Sequence, residues 1–246
     1  MLSDADLYVR GGDTLVASWG EYAGMASGAV VHRLPGVAVA VFPRGPEREV
    51  YNNALLARDL AAVERASALD AMEGTYSAAG VTRFAAWVHE SDEAMRSDIE
   101  RRGYALDTST RAMGMALADS RLTIPEIELG PPDWAEHLRI VGVPAGFLSG
   151  AERLAFHVLV AHSSGQNVAT AIAFDFEGDC GIYNVGTLEA ARRRGLGTGL
   201  TSLHLQHALE RGCETASVQS TEMAEGIYAS VGFRDLGLIL EYVPSG

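Results

Sequence analysis

The chain of 246 residues contains no lysine: its 19 basic residues are all arginine, set against 32 acidic residues, for a formal net charge of −13. Nucleic-acid binding needs clustered positive charge, so this balance argues against such a partner. An acidic surface instead attracts small cations such as amines, which bears on steering and not on fold. Cysteine is scarce, with only Cys180 and Cys213, too few to staple a chain of this length, and both read as buried thiols. No run approaches the roughly 18 uninterrupted apolar residues that a membrane span requires. Met1 to Arg10 holds acids and lacks the apolar stretch of a signal peptide, so the expected location is cytoplasmic, with no membrane partner. At 48% hydrophobic and 21% charged residues, the composition is that of a globular protein and excludes disorder, collagen and coiled coil.

Apolar spacing and turn residues place the elements. Gly36 to Phe42 reads as a buried strand closed by Pro43 and the Gly45-Pro46 pair. Helix-like spacing of Leu60, Val63, Leu69, Met72 and Tyr76 predicts a helix over Arg58 to Gly80. A strand at Phe84 to Val88, a helix at Ser91 to Arg102 and a strand at Thr110 to Leu117 follow. The Pro- and Gly-rich stretch from Asp119 to Pro132, including Pro125, is the candidate boundary, giving domains of 1–121 and 122–246. Beyond it lie a helix at Trp134 to Val141 and a three-stranded antiparallel meander, Phe156 to Ala161, Val168 to Phe176 and Gly181 to Thr187. Then come a helix at Thr198 to Arg211, a strand at Thr215 to Gln219, a helix at Met223 to Val231 and a strand at Leu238 to Val243. Arg101-Arg102-Gly103-Tyr104 and Ser230-Val231-Gly232-Phe233 both end a helix with Gly and an aromatic before a strand, which suggests an internal duplication. A glycine helix cap with an aromatic packed back on a sheet explains the same pattern without one.

The most informative segment runs from Thr187 to Leu200, directly after a strand and directly before a helix. Gly195 and Gly197 leave the backbone bare, so successive N–H groups and the positive end of the helix dipole can face a pyrophosphate. Arg192, Arg193 and Arg194 add mobile positive charge. A Walker loop is excluded because no Gly-Lys-Ser or Gly-Lys-Thr follows, and the dinucleotide fingerprint fails because Leu200 stands where its third glycine falls.

With Arg192, Gly195 and Gly197 matching Gln or Arg, two residues, Gly, one residue, Gly or Ala, the segment resembles the acetyl-CoA loop of the GCN5-related N-acetyltransferase (GNAT) superfamily. Tyr228 followed by Gly232-Phe233 is similar to that family's late helix, and the resemblance covers roughly Thr123 to the C-terminus. Glu189 departs from a frequent Pro, and Thr221 from a frequent Asn. The resemblance implies an α/β (α+β) fold with a mixed, mostly antiparallel central sheet flanked by helices, in two tandem GNAT-like halves. It implies that Val185 and Thr187 pair with the pantetheine arm of acetyl-CoA. The pyrophosphate would then lie on Arg192, Arg193, Arg194, Gly195, Leu196, Gly197, Thr198 and Gly199. Tyr228 then serves the leaving thiolate, in N-acetyl transfer to a primary amine on a small molecule or peptide. The alternative is a non-catalytic acyl-CoA-binding module for regulation or protein interaction.

Asp175, Glu177, Asp179 and Glu189 lie near the expected cleft but read as solvated carboxylates, and the general base is not legible. His204, His207 and Cys213 lack a full ligand set, so no metal is expected. Residues 1–121 carry no such cradle, and Ile99 stands where Tyr228 stands relative to its Gly-aromatic pair, so this half is expected to cover the catalytic sheet. A homodimer would be an ordinary oligomeric state.

Overall fold

The computed structural model describes residues 2–44, 51–122, 126–144, 148 and 155–245. The Gly45-Pro46 turn and Pro125 lie outside the described residues. By contacts the chain divides into two compact, discontinuous units: residues 1–15 with 112–236, and 16–111 with 237–246. The boundaries between these units fall at 15/16, 111/112 and 236/237, and the expected cut at 121/122 lies inside the first unit.

An N-terminal helix, α1 (Asp4–Met25), went unpredicted, and its composition explains why. Its buried positions include Thr14 and Ser18 beside Leu7, Leu15, Val16 and Trp19, so small polar residues interrupt the apolar stripe. Gly11 serves close approach, since a Cβ there would stand 2.8 Å from Ser217 Cβ. The start did carry a signal: Asp6 N donates to Ser3 Oγ and Ser3 N donates to the Asp6 carboxylate, a reciprocal cap.

The unit formed by 16–111 and 237–246 has strands β1 (Val30–Leu34), β2 (Val37–Val41), β3 (Asn53–Leu56) and β4 (Ala85–His89). β1, β2 and β3 pair antiparallel in sequence order, and β3 pairs β4 in parallel. The parallel pair requires a crossover, supplied by α2 (Ala62–Ala78). That helix begins four residues later than the expected Arg58, because Asp59 takes a positive φ of 59° and Glu64 caps the Ala61 amide. After β4 come α3 (Glu93–Arg101) and the start of β5 (Tyr104–Ala116). The C-terminal part of β11 (Arg234–Pro244) pairs antiparallel with β4. The core joins Val39, Leu56, Leu69, Met72, Tyr76, Ile99 and Tyr242.

The other unit repeats this plan. After the short β6 (Glu128–Leu129) and α4 (Trp134–Val141) comes the meander of β7 (Phe156–Ser163), β8 (Gln166–Phe176) and β9 (Asp179–Thr187). Its two hairpins turn on Ser164-Gly165 and Glu177-Gly178, all four with positive φ, the two-residue geometry that matches strand twist. β9 then pairs β10 (Thr215–Ser220) in parallel, across the helix α5 (Leu196–Arg211). α6 (Glu225–Val231) follows. Strand order here is β5-β10-β9-β8-β7-β6. The shared sequence of antiparallel pair, parallel pair, helix and strand makes the halves tandem copies of one GNAT-like plan: a mixed, mostly antiparallel sheet flanked by helices.

Within this unit Leu7 and Leu236 close on Gly114, and Arg234 forms an ion pair of 2.9 Å with Asp4. A fragment of residues 122–246 loses the helix start and the β5 segment that make these contacts. It is expected to aggregate, whereas the full chain stays monodisperse on size exclusion; a soluble, folded fragment would contradict the assignment of residues 1–15 and 112–121 to this unit.

Candidate functional site

The feature that makes a site is a gap in the sheet. β9 and β10 are paired from Asp179↔Thr215 to Ile182↔Val218 and no further, yet β9 continues to Thr187. Residues 183–187 thus stay beside β8 and lie beyond the last pair with β10. Across from Ala171, between the pairs Ile172↔Tyr183 and Thr170↔Gly186, the register shifts, and Asn184 takes a φ of 49°. This β-bulge bends the strand away from its neighbour.

The chain leaves β9 at the open end and enters the cradle. Arg192 Nε donates to the Thr187 carbonyl at 3.2 Å, and Arg194 Nη2 donates to Ser163 Oγ at 3.0 Å. All three arginines are exposed. Gly195 sits at the cap of α5 with φ 77°, a left-handed conformation that suits glycine. No side chain caps the helix, so the first-turn amides, Leu196 to Thr198, have no acceptor in their own helix. Gly197 is the meeting point: a Cβ there would stand 3.5 Å from Ile227 Cδ1 and 3.7 Å from Val185 Cγ1. The structure therefore brings the glycine loop, the bulged strand and the tyrosine helix together. Leu196, Thr198 and Thr187 are half-buried around this point, and Gly199 is buried.

Tyr228 is 5% exposed and lies in one cluster with Ile182, Val218 and Phe233. Its ring meets Phe233 edge-on at 5.7 Å. Burial pushes its hydroxyl up to about 12, which keeps it protonated and a hydrogen-bond donor.

The carboxylates sort themselves. Asp175 is clamped by Arg211 at 2.5 and 2.9 Å and faces His157 at 3.4 Å. Burial raises its pKa, but Arg211 and His157 outweigh that and hold it well below the usual range. Asp179, 2% exposed, accepts from Thr215 Oγ1 at 2.7 Å and Ser217 Oγ at 2.6 Å. Burial raises its pKa against those bonds. Both are structural groups at the paired end of the strands. Glu189 is exposed.

Sequence reasoning gave no weight to His137, which is fully buried on α4. Its Nδ1 lies 3.0 Å from Thr170 Oγ1, which itself donates to the Leu159 carbonyl. Thr170 has then used its proton, so Nδ1 is the donor and Nε2 carries the lone pair. Burial pushes this ring down to about 4. His204 on α5 is also fully buried, and burial pushes it down to about 3. Cys180 and Cys213 are buried and unbridged. Among the described residues no group of three His, Cys, Asp or Glu is placed to hold a metal, and no helix is long and apolar enough to cross a membrane.

In the N-terminal half the corresponding loop is already occupied. The Ala61 amide is taken by Glu64, Asp59 N donates to Asp92, and Arg58 Nη2 donates to Ser91 Oγ. Ile99, the counterpart of Tyr228, is fully buried.

The family model for the acetyltransferase (GNAT) domain matches residues 155–235, the segment holding the gap, the cradle and Tyr228. Among solved structures, the chain is similar to a GCN5-related N-acetyltransferase from Kribbella flavida, at 19% identity over 95% of each chain with a TM-score of 0.71. It is also similar to one from Sphaerobacter thermophilus, at 16% identity over 85% of this chain and 80% of that one, TM-score 0.58. A tandem GNAT protein from the clavulanic acid biosynthesis pathway matches at 13% identity over 100% of this chain and 98% of that one, TM-score 0.63. No curated protein matches the chain in sequence.

The two buried imidazoles make stability fall in acid. Their folded pKa values lie below the unfolded value of about 6.5, so the unfolded chain takes up protons that the folded chain refuses. Stability is complete above about pH 6.5 and falls by about 2 kcal/mol per histidine by pH 5. Urea unfolding at both pH values measures the loss, and His204→Leu is expected to remove about half of it.

Proposed function

We propose that the chain is an acyl-CoA-dependent N-acyltransferase. It transfers an acetyl group from acetyl-CoA to a primary amine on a small molecule or peptide by direct attack. The observation that carries this reading is the opening between β9 and β10, with a bare-backbone cradle at its mouth and Tyr228 on one wall. The β9 edge beyond its last pair with β10, Val185 and Thr187 among its residues, suits a pantetheine arm added as an extra strand. Arg192, Arg193, Arg194 and the amides from Gly195 to Gly199 suit the pyrophosphate, by charge and by helix dipole. The glycines leave room for a phosphate against the backbone, which supports the fit of the cofactor to these residues. Acetyl-CoA supplies the activated acyl carbon; the protein orients it, excludes water and manages protons.

Tyr228 donates a hydrogen bond to the departing sulfur. Outright proton transfer is disfavoured, because a hydroxyl at about 12 against a thiol of about 8.5 leaves it uphill by roughly 5 kcal/mol. The proton that sulfur gains comes in concert with the loss of one from the amine. The N-terminal half, with its loop filled by its own side chains, serves as a GNAT-like unit without cofactor chemistry.

Calorimetry tests the cradle. One acetyl-CoA per chain is expected, with binding abolished by Gly197→Glu; a Cβ at that position meets only ordinary contacts, so the variant folds while its carboxylate repels the pyrophosphate. No binding by the natural sequence would overturn the enzymatic reading. Tyr228→Phe is expected to keep acetyl-CoA affinity within about twofold and to lower turnover by about tenfold or more, the size of one charge-assisted hydrogen bond; unchanged turnover, read as thiol release, removes Tyr228 from the mechanism.

A further inference from the structure

Pairing between β9 and β10 stops at Ile182↔Val218, so Tyr183 and Gln219 are the residues that flank the start of the opening. Strand alternation sorts the side chains of β10 onto two faces. Ala216 and Val218 are buried with Cys180, Ile182 and Tyr228. Ser217 meets Gly11 of α1 and Asp179 on the other face, and Gln219, two residues on, belongs there too. That face is also where α4 lies, with His137 on Thr170 and Ile140 and Val141 against Gly186.

The other polar side chains of β10 are committed. Thr215 and Ser217 bind Asp179, and the Ser220 hydroxyl donates to the Thr221 carbonyl. Gln219 Oε1 is buried and, among the described residues, has no hydrogen-bond partner, in a residue that is half-buried as a whole. A desolvated acceptor without a donor is a standing penalty that an arriving N–H relieves.

We propose that Gln219 Oε1 accepts an N–H of the acceptor amine and orients its attack from the face opposite Tyr228. This deepens the N-acyltransferase reading and rests on it. In the step, the amine lone pair forms the C–N bond to the acyl carbon, the C–S bond breaks, and sulfur takes its electron pair. One amine proton leaves and the thiol gains one, so charge and atoms balance. A primary amine has two N–H groups when neutral, one to lose and one to give to Gln219. A secondary amine has only the one that it must lose. The neutral carboxamide holds the N–H without stabilising the ammonium form, as a carboxylate would. The site is therefore selective for primary amines that attack in the neutral state.

The test follows thiol release from acetyl-CoA with two pairs of probes: hydroxylamine against N-methylhydroxylamine, and tyramine against N-methyltyramine. The natural sequence is expected to prefer the primary member of a pair by about tenfold or more. In Gln219→Leu, kcat/KM for the primary amine is expected to fall by about tenfold or more, preference to collapse below about threefold, and the Kd for acetyl-CoA to stay within about twofold. Gln219→Glu is expected to restore amine KM while moving the acid limb of the kcat/KM profile to higher pH. Unchanged kcat/KM and preference in Gln219→Leu overturn the proposal. Acetyl-CoA binding without turnover of any of the four amines also overturns it and leaves the cradle standing, whereas absent acetyl-CoA binding overturns the function on which it rests.

Discussion

The separation of two parallel strands after four paired residues is the constraint on which the candidate site depends. A parallel pair cannot close with a tight turn; its crossover runs here through α5, which brings a helix N-terminus to the open end of β9. The bulge at Asn184 and Val185 shifts β9 out of register with β8, and the rest of the strand runs on beyond its last pair with β10. An unpaired edge is ordinarily a hazard. Here the edge stands beside a glycine loop with a helix dipole behind it and three exposed arginines alongside.

Two faces meet at that opening and they differ in chemistry. On the α5 and α6 side the wall is apolar, with Val218, Ile182 and Phe233 around a tyrosine kept protonated by burial. On the α1 and α4 side the wall carries Gln219, Ser217, Thr170 and His137. A thioester is cleaved best where its leaving sulfur meets a donor and the attacking amine meets an acceptor, and the roles proposed for Tyr228 and Gln219 divide those tasks between the two walls. The same topology in the N-terminal half lacks the opening's equipment: Glu64, Asp92 and Ser91 occupy its loop, which shows how readily a helix N-terminus is satisfied from within when no glycines keep it bare.

Much of this was legible before any coordinates. The hairpin residues Ser164-Gly165 and Glu177-Gly178 marked the meander, and the spacing of Arg192, Gly195 and Gly197 marked the cradle, because turns and cradles depend on local backbone conformation that glycine advertises. α1 escaped notice because its buried face is built of Gly11, Thr14 and Ser18 as much as of leucine, and small polar residues on a buried face look like solvent-facing ones in one dimension. β1 escaped because His32 and Arg33 interrupt its apolar run, and β3 because it has only four residues and opens on Asn53.

By itself the sequence determined what is local: the order of the later elements, the glycine loop, the arginines beside it and the tyrosine ahead of Gly232-Phe233. Tertiary structure decided what depends on residues far apart in the chain. It assigned residues 1–15 to the same unit as 112–236 and tied Asp175 to Arg211 and Asp179 to Ser217. It also left the oxygen of Gln219 unpaired beside the gap. The reason is physical: burial, ladder pairing and hydrogen-bond satisfaction are properties of neighbours in space, and a strand carries no mark in its own residues of where its partner lets go.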